Sequence, residues 1–228
     1  MHRISLLATL LVIPAAWGIG LGIGAFGGAA IPVGATAGDD DDNTAVVEGA
    51  ELAPSPVLGA RVVLGVLPYL DVEGGFAFHT GHHPDNDDWK QLEGMEEPVT
   101  TVWPITVGAN VKAPVGNAAF YGSAGVGYYL SHAEATGEME TPLGEGEFKA
   151  ELDVNEPGFY LGGGFEVRLG DFGLHADSRY HFIFSDDEYD ADYTIRINGM
   201  SFSDSYKVDK DFNDTFVNVT VGVDYYFL

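Results

Sequence analysis

The sequence predicts an all-β chain, an eight-stranded antiparallel up-and-down transmembrane β-barrel. Three observations lead there. Apolar residues alternate with polar residues or glycine along nearly the whole chain, the mark of strands whose two faces meet different surroundings. Eight such stretches are joined by connections that are short and long in turn, as an up-and-down meander requires. The formal net charge is −25 over 228 residues, yet mean hydropathy is near zero. The apolar side chains are therefore neither scarce, as in a disordered acidic chain, nor gathered into membrane helices.

At the start, His2 and Arg3 precede an apolar run over residues 4–13, then Pro14, Ala15, Ala16 and Gly18. That order predicts a secretory signal over residues 1–18, leaving 19–228 as the barrel. Glycine at every second position beyond Gly18 disfavours a continuing helix. The absence of cysteine rules out a disulfide framework and a lipid-anchored cysteine.

The first strand sets Ile19, Leu21, Ile23, Ala25, Ala29 and Ile31 against Gly18, Gly20, Gly22, Gly24 and Gly28. The second sets Leu58, Ala60, Val62, Leu64 and Val66 against Gly59, Arg61 and Gly65, and a turn at Leu67, Pro68 and Tyr69 follows. In the third, Leu70, Val72, Phe76 and Phe78 oppose Asp71, Glu73, Gly75 and His79. The fourth runs from Val99 through Trp103, Ile105, Val107 and Val111, against Thr100, Thr106, Gly108, Asn110 and Lys112, into a turn at Pro114, Gly116 and Asn117. The fifth alternates Phe120, Ala124, Val126, Tyr128 and Leu130 with Tyr121, Ser123, Gly125, Gly127 and Tyr129.

After a long connection the sixth strand sets Phe159, Leu161, Phe165, Val167 and Leu169 against Tyr160, Gly162, Gly164, Glu166 and Arg168, ending in a turn at Gly170 and Asp171. The seventh sets Phe172, Leu174, Ala176, Tyr180, Phe182 and Phe184 against His175, Asp177, Arg179 and His181. The last alternates Thr215, Val217, Val219, Val221, Val223, Tyr225 and Phe227 with Asp214, Phe216, Asn218, Thr220, Gly222, Asp224 and Tyr226.

Alternation alone does not tell inside from outside. A soluble barrel points its apolar rows inward, and a membrane barrel points them out. Ionisable residues on several polar rows favour the membrane, as do Trp103, Phe120, Phe159, Phe172, Phe184, Tyr225 and Phe227 near strand ends, where an interfacial girdle sits. The C-terminus adds Thr220, Gly222, Tyr225 and Phe227, spaced as polar, x, Gly, x, x, aromatic, x, aromatic. This ending resembles the assembly signal of bacterial outer-membrane barrels, and residues 158–170 resemble the glycine-rich strand and turn of small OmpA-, OmpX- and OmpW-type barrels. Leu228 departs from the usual aromatic last residue. The resemblance implies residence in the outer membrane, with lipid and lipopolysaccharide as surroundings and the barrel assembly machinery as a partner.

Twenty-eight of the 35 acidic residues fall in the four long connections, against five of the ten lysines and arginines. The remaining charges lie on the polar rows, with Arg61, Lys112, Arg168 and Arg179 nearly balancing Asp71, Glu73, Glu166, Asp177 and Asp224. An eight-stranded barrel is just wide enough to be filled by side chains, so these predict a packed ionic network in a closed core with little steady conductance.

Asp39, Asp40, Asp41 and Asp42, then Asp85, Asp87 and Asp88, then Asp186, Asp187 and Glu188 offer hard oxygen ligands suited to Ca2+ or Mg2+, against the plainer reading that they solvate loops. None completes an EF-hand loop. His79, His82 and His83 suggest a soft metal, although plain alternation points only His79 inward. No catalytic set is found: His175, Asp177 and His181 share one face, with Ser185 following, but the spacing does not reproduce the motifs of barrel enzymes that modify lipid A. So acidic a surface disfavours nucleic acid. The expected role is structural or interactive, presenting acidic loops. The alternative that the OmpW-type resemblance implies is passage of small hydrophobic solutes through a side opening, where Pro32, Pro54, Pro56, Pro98 or Pro104 interrupts pairing.

Overall fold

The computed structural model describes residues 20–33, 53–82, 94, 96–141, 144–184, 188–209 and 215–227. The expected signal at 1–18 lies outside them. Among the described residues are ten strands: β1 (Gly20–Pro32), β2 (Ser55–Leu67), β3 (Leu70–His82), β4 (Val99–Val115), β5 (Ala118–Thr141), β6 (Gly144–Leu169), β7 (Phe172–Ile183), β8 (Glu188–Ile197), β9 (Met200–Asp209) and β10 (Thr215–Tyr226). Eight of them form an antiparallel ring in which each strand from β1 to β6 pairs with the next, β7 pairs with β10, and β10 returns to β1. Closure leaves the ring without a free edge, which is what lets a sheet stand in lipid.

Three tight turns, at Pro68 and Tyr69, Gly116 and Asn117, and Gly170 and Asp171, gather at one end of the ring. Gly116 and Gly170 take left-handed backbone angles (φ 66° and 67°), which a side chain would strain. The wall above them is apolar on its outer side: Leu58, Val62, Val107, Val111, Val126, Leu161 and Val221 are all exposed. Aromatic clusters bound this belt. At the turn end Phe172 packs on Tyr225 (5.3 Å between ring centres) and Tyr225 on Phe227 (6.2 Å). At the other end Trp103 meets Phe78 (5.0 Å) and Phe76 (5.9 Å), and Phe159 stacks on Phe182 (4.5 Å).

Inside, bare backbone makes room for large side chains. A Cβ on Gly108 would lie 2.1 Å from the Tyr160 hydroxyl, and one on Gly125 2.5 Å from its ring, so Tyr160 crosses the lumen against two strands that present no side chain to it.

The structure corrects the sequence reading of the last two long connections. Residues 131–141, 144–157 and 188–209 are sheet for most of their length. β5 and β6 pair without a break from Ala118↔Val167 to Thr141↔Gly144, well beyond the aromatic cluster, and the β8–β9 hairpin joins β6 at residues 146–151. Gly94 and Glu96 bond to the other side of β5 at Glu138 and Thr136. The acid-rich composition of these segments read as loop because their alternation runs in the opposite phase. Up to Leu130 the outward row of β5 is apolar (Phe120, Ala124, Val126, Tyr128), and beyond it the same row reads His132, Glu134, Thr136 and Glu138. On β6 the outward row changes from Phe159 to Asn155, Asp153, Glu151 and Lys149, while the inward row becomes Val154, Leu152, Ala150 and Phe148. The rows exchange polarity where lipid gives way to water.

Candidate functional site: the charged lumen and the outer sheet

Period two places Arg61, Asp71, Glu73, Lys112, Glu166, Asp177 and Asp224 inward and buried. Arg168 and Arg179 share the same inner face. Near the turns, Lys112 pairs with Asp71 and with Glu166 (3.0 Å), Arg168 Nε donates to Glu166 (3.0 Å) and its guanidinium lies 3.6 Å from the centre of the Tyr226 ring. The Tyr226 hydroxyl completes this group by donating to Glu166 (2.9 Å).

Higher in the lumen, Arg61 grips Asp224 through two bonds, Nε to Oδ1 at 2.9 Å and Nη2 to Oδ2 at 2.6 Å. Its other nitrogen lies 3.6 Å from Glu73 and 3.7 Å from Asp177. Arg179 binds Glu73 through both terminal nitrogens and Asp177 at 3.2 Å. Further donors occupy the remaining carboxylate positions: Asn110 (2.8 Å) and Tyr160 (3.2 Å) on Glu73, Tyr121 (3.0 Å) and Thr220 (3.0 Å) on Asp177, and His175 Nδ1 (3.0 Å) on Asp224. Buried charge is tolerated only when paired and further hydrogen-bonded, and each of these five carboxylates is paired with a cation. Asp177 pairs with Arg179 of its own strand, while Arg168 turns to Glu166 and Tyr226.

Above the charges the lumen becomes apolar. Ala30, Val57, Ala77, Val102, Tyr129, Ile183 and Phe216 form one buried cluster, with Phe26 packed against it. Between the two layers is a cavity of about 30 Å3, bordered by Phe26, Phe76, Pro104 and Thr106, room for one or two waters and far too small for a channel. Pro104 faces inward, and no ladder pairing joins Ala77 and Phe78 of β3 to Pro104 and Trp103 of β4, since a proline offers no N–H.

The outer sheet carries its own charges on its outward face. His132 Nδ1 lies 2.7 Å from Asp153, Lys149 bridges Glu134 (3.4 Å) and Glu151 (2.9 Å), and Arg196 lies 3.7 Å from Glu147. The hydrogen bond to Asp153 raises the His132 pKa above the usual imidazole value, helped by the charges of Asp153 and Glu151. His132, Glu134 and Glu151 also stand close enough to share an ion, but Lys149 already holds both carboxylates.

No protein-family model matches the sequence, and no curated protein matches it. Solved structures do match the fold. A major outer membrane protein from Thermus thermophilus aligns with a TM-score of 0.58 at 14% identity, over 91% of this chain and 99% of that one. Neisserial surface protein A aligns at 0.50 and 10% identity over 91% and 97%, and OprG from Pseudomonas aeruginosa at 0.50 and 14% over 94% and 99%. The fold is that of the small eight-stranded outer-membrane β-barrels. With that fold, the exposed apolar belt between aromatic clusters sets the lower wall of this barrel in lipid.

Of the C-terminal motif, Thr220 and Gly222 face the lumen while Tyr225 and Phe227 project outward at the turn end. Asp39, Asp40, Asp41, Asp42, Asp85, Asp87, Asp88, Asp186, Asp187, His83 and Ser185 lie outside the described residues, and Glu188 is described only as part of β8. Two readings need correction. Glu156, counted among the loop acids, is buried on the inner face of β6. His82, which plain alternation does not point inward, is also buried, because Gly81 (φ 105°) interrupts the register between His79 and His82 and turns both imidazoles inward. Tyr121, Tyr129, Tyr160 and Phe216, which alternation sets on the polar rows, are buried and fill much of the lumen beside the charges, a part that the binary pattern alone does not give them.

Proposed function

We propose that the protein is a closed, non-conducting membrane anchor that holds an acidic β-sheet above the outer surface as a binding face for cationic partners, Ca2+ and Mg2+ among them. The observation that carries this reading is the unbroken β5–β6 ladder, which leaves the belt and gains β8 and β9 with its polar face turned away from the barrel axis. A surface meant only to solvate itself does not require roughly 35 Å of continuous strand beyond Leu130. Binding of Ca2+ and of a lysine-rich peptide to proteoliposomes tests it. Replacing Glu134, Glu138, Glu147, Glu151 and Asp192 by their amides should weaken the peptide at least tenfold and flatten its salt dependence; unchanged binding, or a large steady conductance in planar bilayers, contradicts the reading. In the same reading the Thr220, Gly222, Tyr225 and Phe227 pattern addresses the chain to the barrel assembly machinery. No catalytic role is assigned: His175 and Asp224 form a buried pair that holds Arg61 in place.

One observation favours a second reading. The pairing gap at Pro104 adjoins the lumen cavity, and Phe76, on the outer wall, borders that cavity. A sideways route for small hydrophobic solutes into lipid would pass there. Uptake of an apolar dye by liposomes, lowered several-fold by Pro104→Val, would support that route, and equal uptake by both proteins would remove it.

A further inference from the structure

The outer lumen holds three buried histidines whose hydrogen bonding differs. His181 is satisfied on both ring nitrogens: the Asn218 amide donates to Nε2 (3.3 Å), which leaves Nδ1 to donate to the Tyr129 hydroxyl (2.8 Å). His82 is oriented by the backbone. Its Nδ1 lies 3.1 Å from the Ala53 carbonyl, which can only accept, so Nδ1 carries the hydrogen and Nε2 keeps its lone pair, 3.1 Å from the Ser55 hydroxyl. His79 is wholly buried, and neither of its ring nitrogens has a hydrogen-bond partner. A polar ring enclosed in an apolar layer with both nitrogens unanswered is costly and calls for an explanation.

The backbone goes out of its way to bring His79 and His82 together. Three residues apart on a regular strand, one would face outward. The irregularity at Gly81 reverses the second, and the two ring centres come to 5.7 Å. Two imidazoles bound to one ion at about 2.1 Å place their ring centres about 5 to 6 Å apart. An imidazole fixed through Nδ1–H to a backbone carbonyl, with Nε2 presented, is the usual posture of a metal-ligating histidine. We infer that His79 and His82 form a two-imidazole site for a late transition-metal ion, Cu2+ or Zn2+, with the Ser55 hydroxyl beside it. Neutral nitrogen donors select such ions over Ca2+ and Mg2+, and Cu2+ over Zn2+. This site is separate from the acidic sheet, and its success or failure leaves the reading of that sheet untouched.

The full chain is refolded in detergent with and without CuCl2, ZnCl2 or CaCl2, and binding is followed by chelator competition and, for Cu2+, by electron paramagnetic resonance. One equivalent of Cu2+ with nitrogen hyperfine structure is expected, with weaker Zn2+ and no competing Ca2+. His79→Gln and His82→Gln should each weaken Cu2+ at least tenfold, while His132→Gln and His83→Gln leave it unchanged. Gly81→Ala, strained by its positive φ and by a Cβ 2.9 Å from Val99, should weaken it as well while the barrel still shows its heat-dependent gel shift. Should either histidine variant fail to fold, the wild-type spectrum decides: nitrogen ligation insensitive to His132→Gln supports the site. No saturable binding at millimolar metal, or binding that disappears with His132→Gln, overturns it.

Discussion

Two regions of the same pair of strands obey the same alternation and opposite rules. Below Leu130 and Phe159, β5 and β6 turn leucine, valine and phenylalanine to the outside and bury arginine, tyrosine and glutamate in the lumen. Above them the outside carries His132, Glu134, Lys149, Glu151 and Asp153, and the apolar residues Phe148, Ala150 and Leu152 turn inward, continuing across β8 and β9 as Ile195 and Phe202. The backbone does not change at this border. What changes is the solvent on the outer side, so the phase of a pattern, not its period, records where the membrane ends.

The energetics of the two regions should differ as sharply. Asp224→Leu leaves Arg61 without its principal partner in a closed lumen, and about 3–5 kcal/mol of stability should be lost in urea unfolding from vesicles. Val126→Arg, on the lipid face, should cost about 2–4 kcal/mol by the same measurement, whereas Thr136→Arg, ten residues on along the same row of β5, should cost almost nothing. A smaller effect is expected from pH. Because the folded state raises the His132 pKa, the bond to Asp153 contributes fully below the ordinary imidazole pKa of about 6.5 and is lost as pH rises through the raised value. Amides of β5 beyond Leu130 should therefore exchange more slowly at pH 5.5 than at pH 8.5, after correction for intrinsic exchange, and His132→Gln should abolish the difference. Smallest of all, Glu147→Gln removes an exposed pair with Arg196 and should shift stability by less than about 0.5 kcal/mol. A large loss there, or none at Asp224, would erase the contrast between the regions.

The ring was legible because eight rows of alternating residues and three glycine-bearing or proline-bearing turns are local signals. The pairings inside it were not. Arg61 meets Asp224 across 163 residues of sequence, a meeting set by strand tilt and closure that no single strand encodes. His82 was hidden by a bulge, since counting by twos fails wherever one glycine breaks the register. The outer sheet was hidden by composition: acids at Glu134, Glu138, Glu147 and Glu151 resemble loop until one notices that they occupy every second or fourth place and that small or apolar residues fill the gaps.

The exchange of polarity at Leu130 is the claim on which the location, the anchor and the acidic face all rest. The chain has no cysteine, so single cysteines placed at even positions from Phe120 to Glu138 can carry a spin label without competition. Labels at Phe120, Ala124, Val126, Tyr128 and Leu130 should collide with oxygen dissolved in lipid, and those at His132, Glu134, Thr136 and Glu138 with a water-soluble nickel chelate. Water access at Val126, or lipid access at Glu134, would contradict the account.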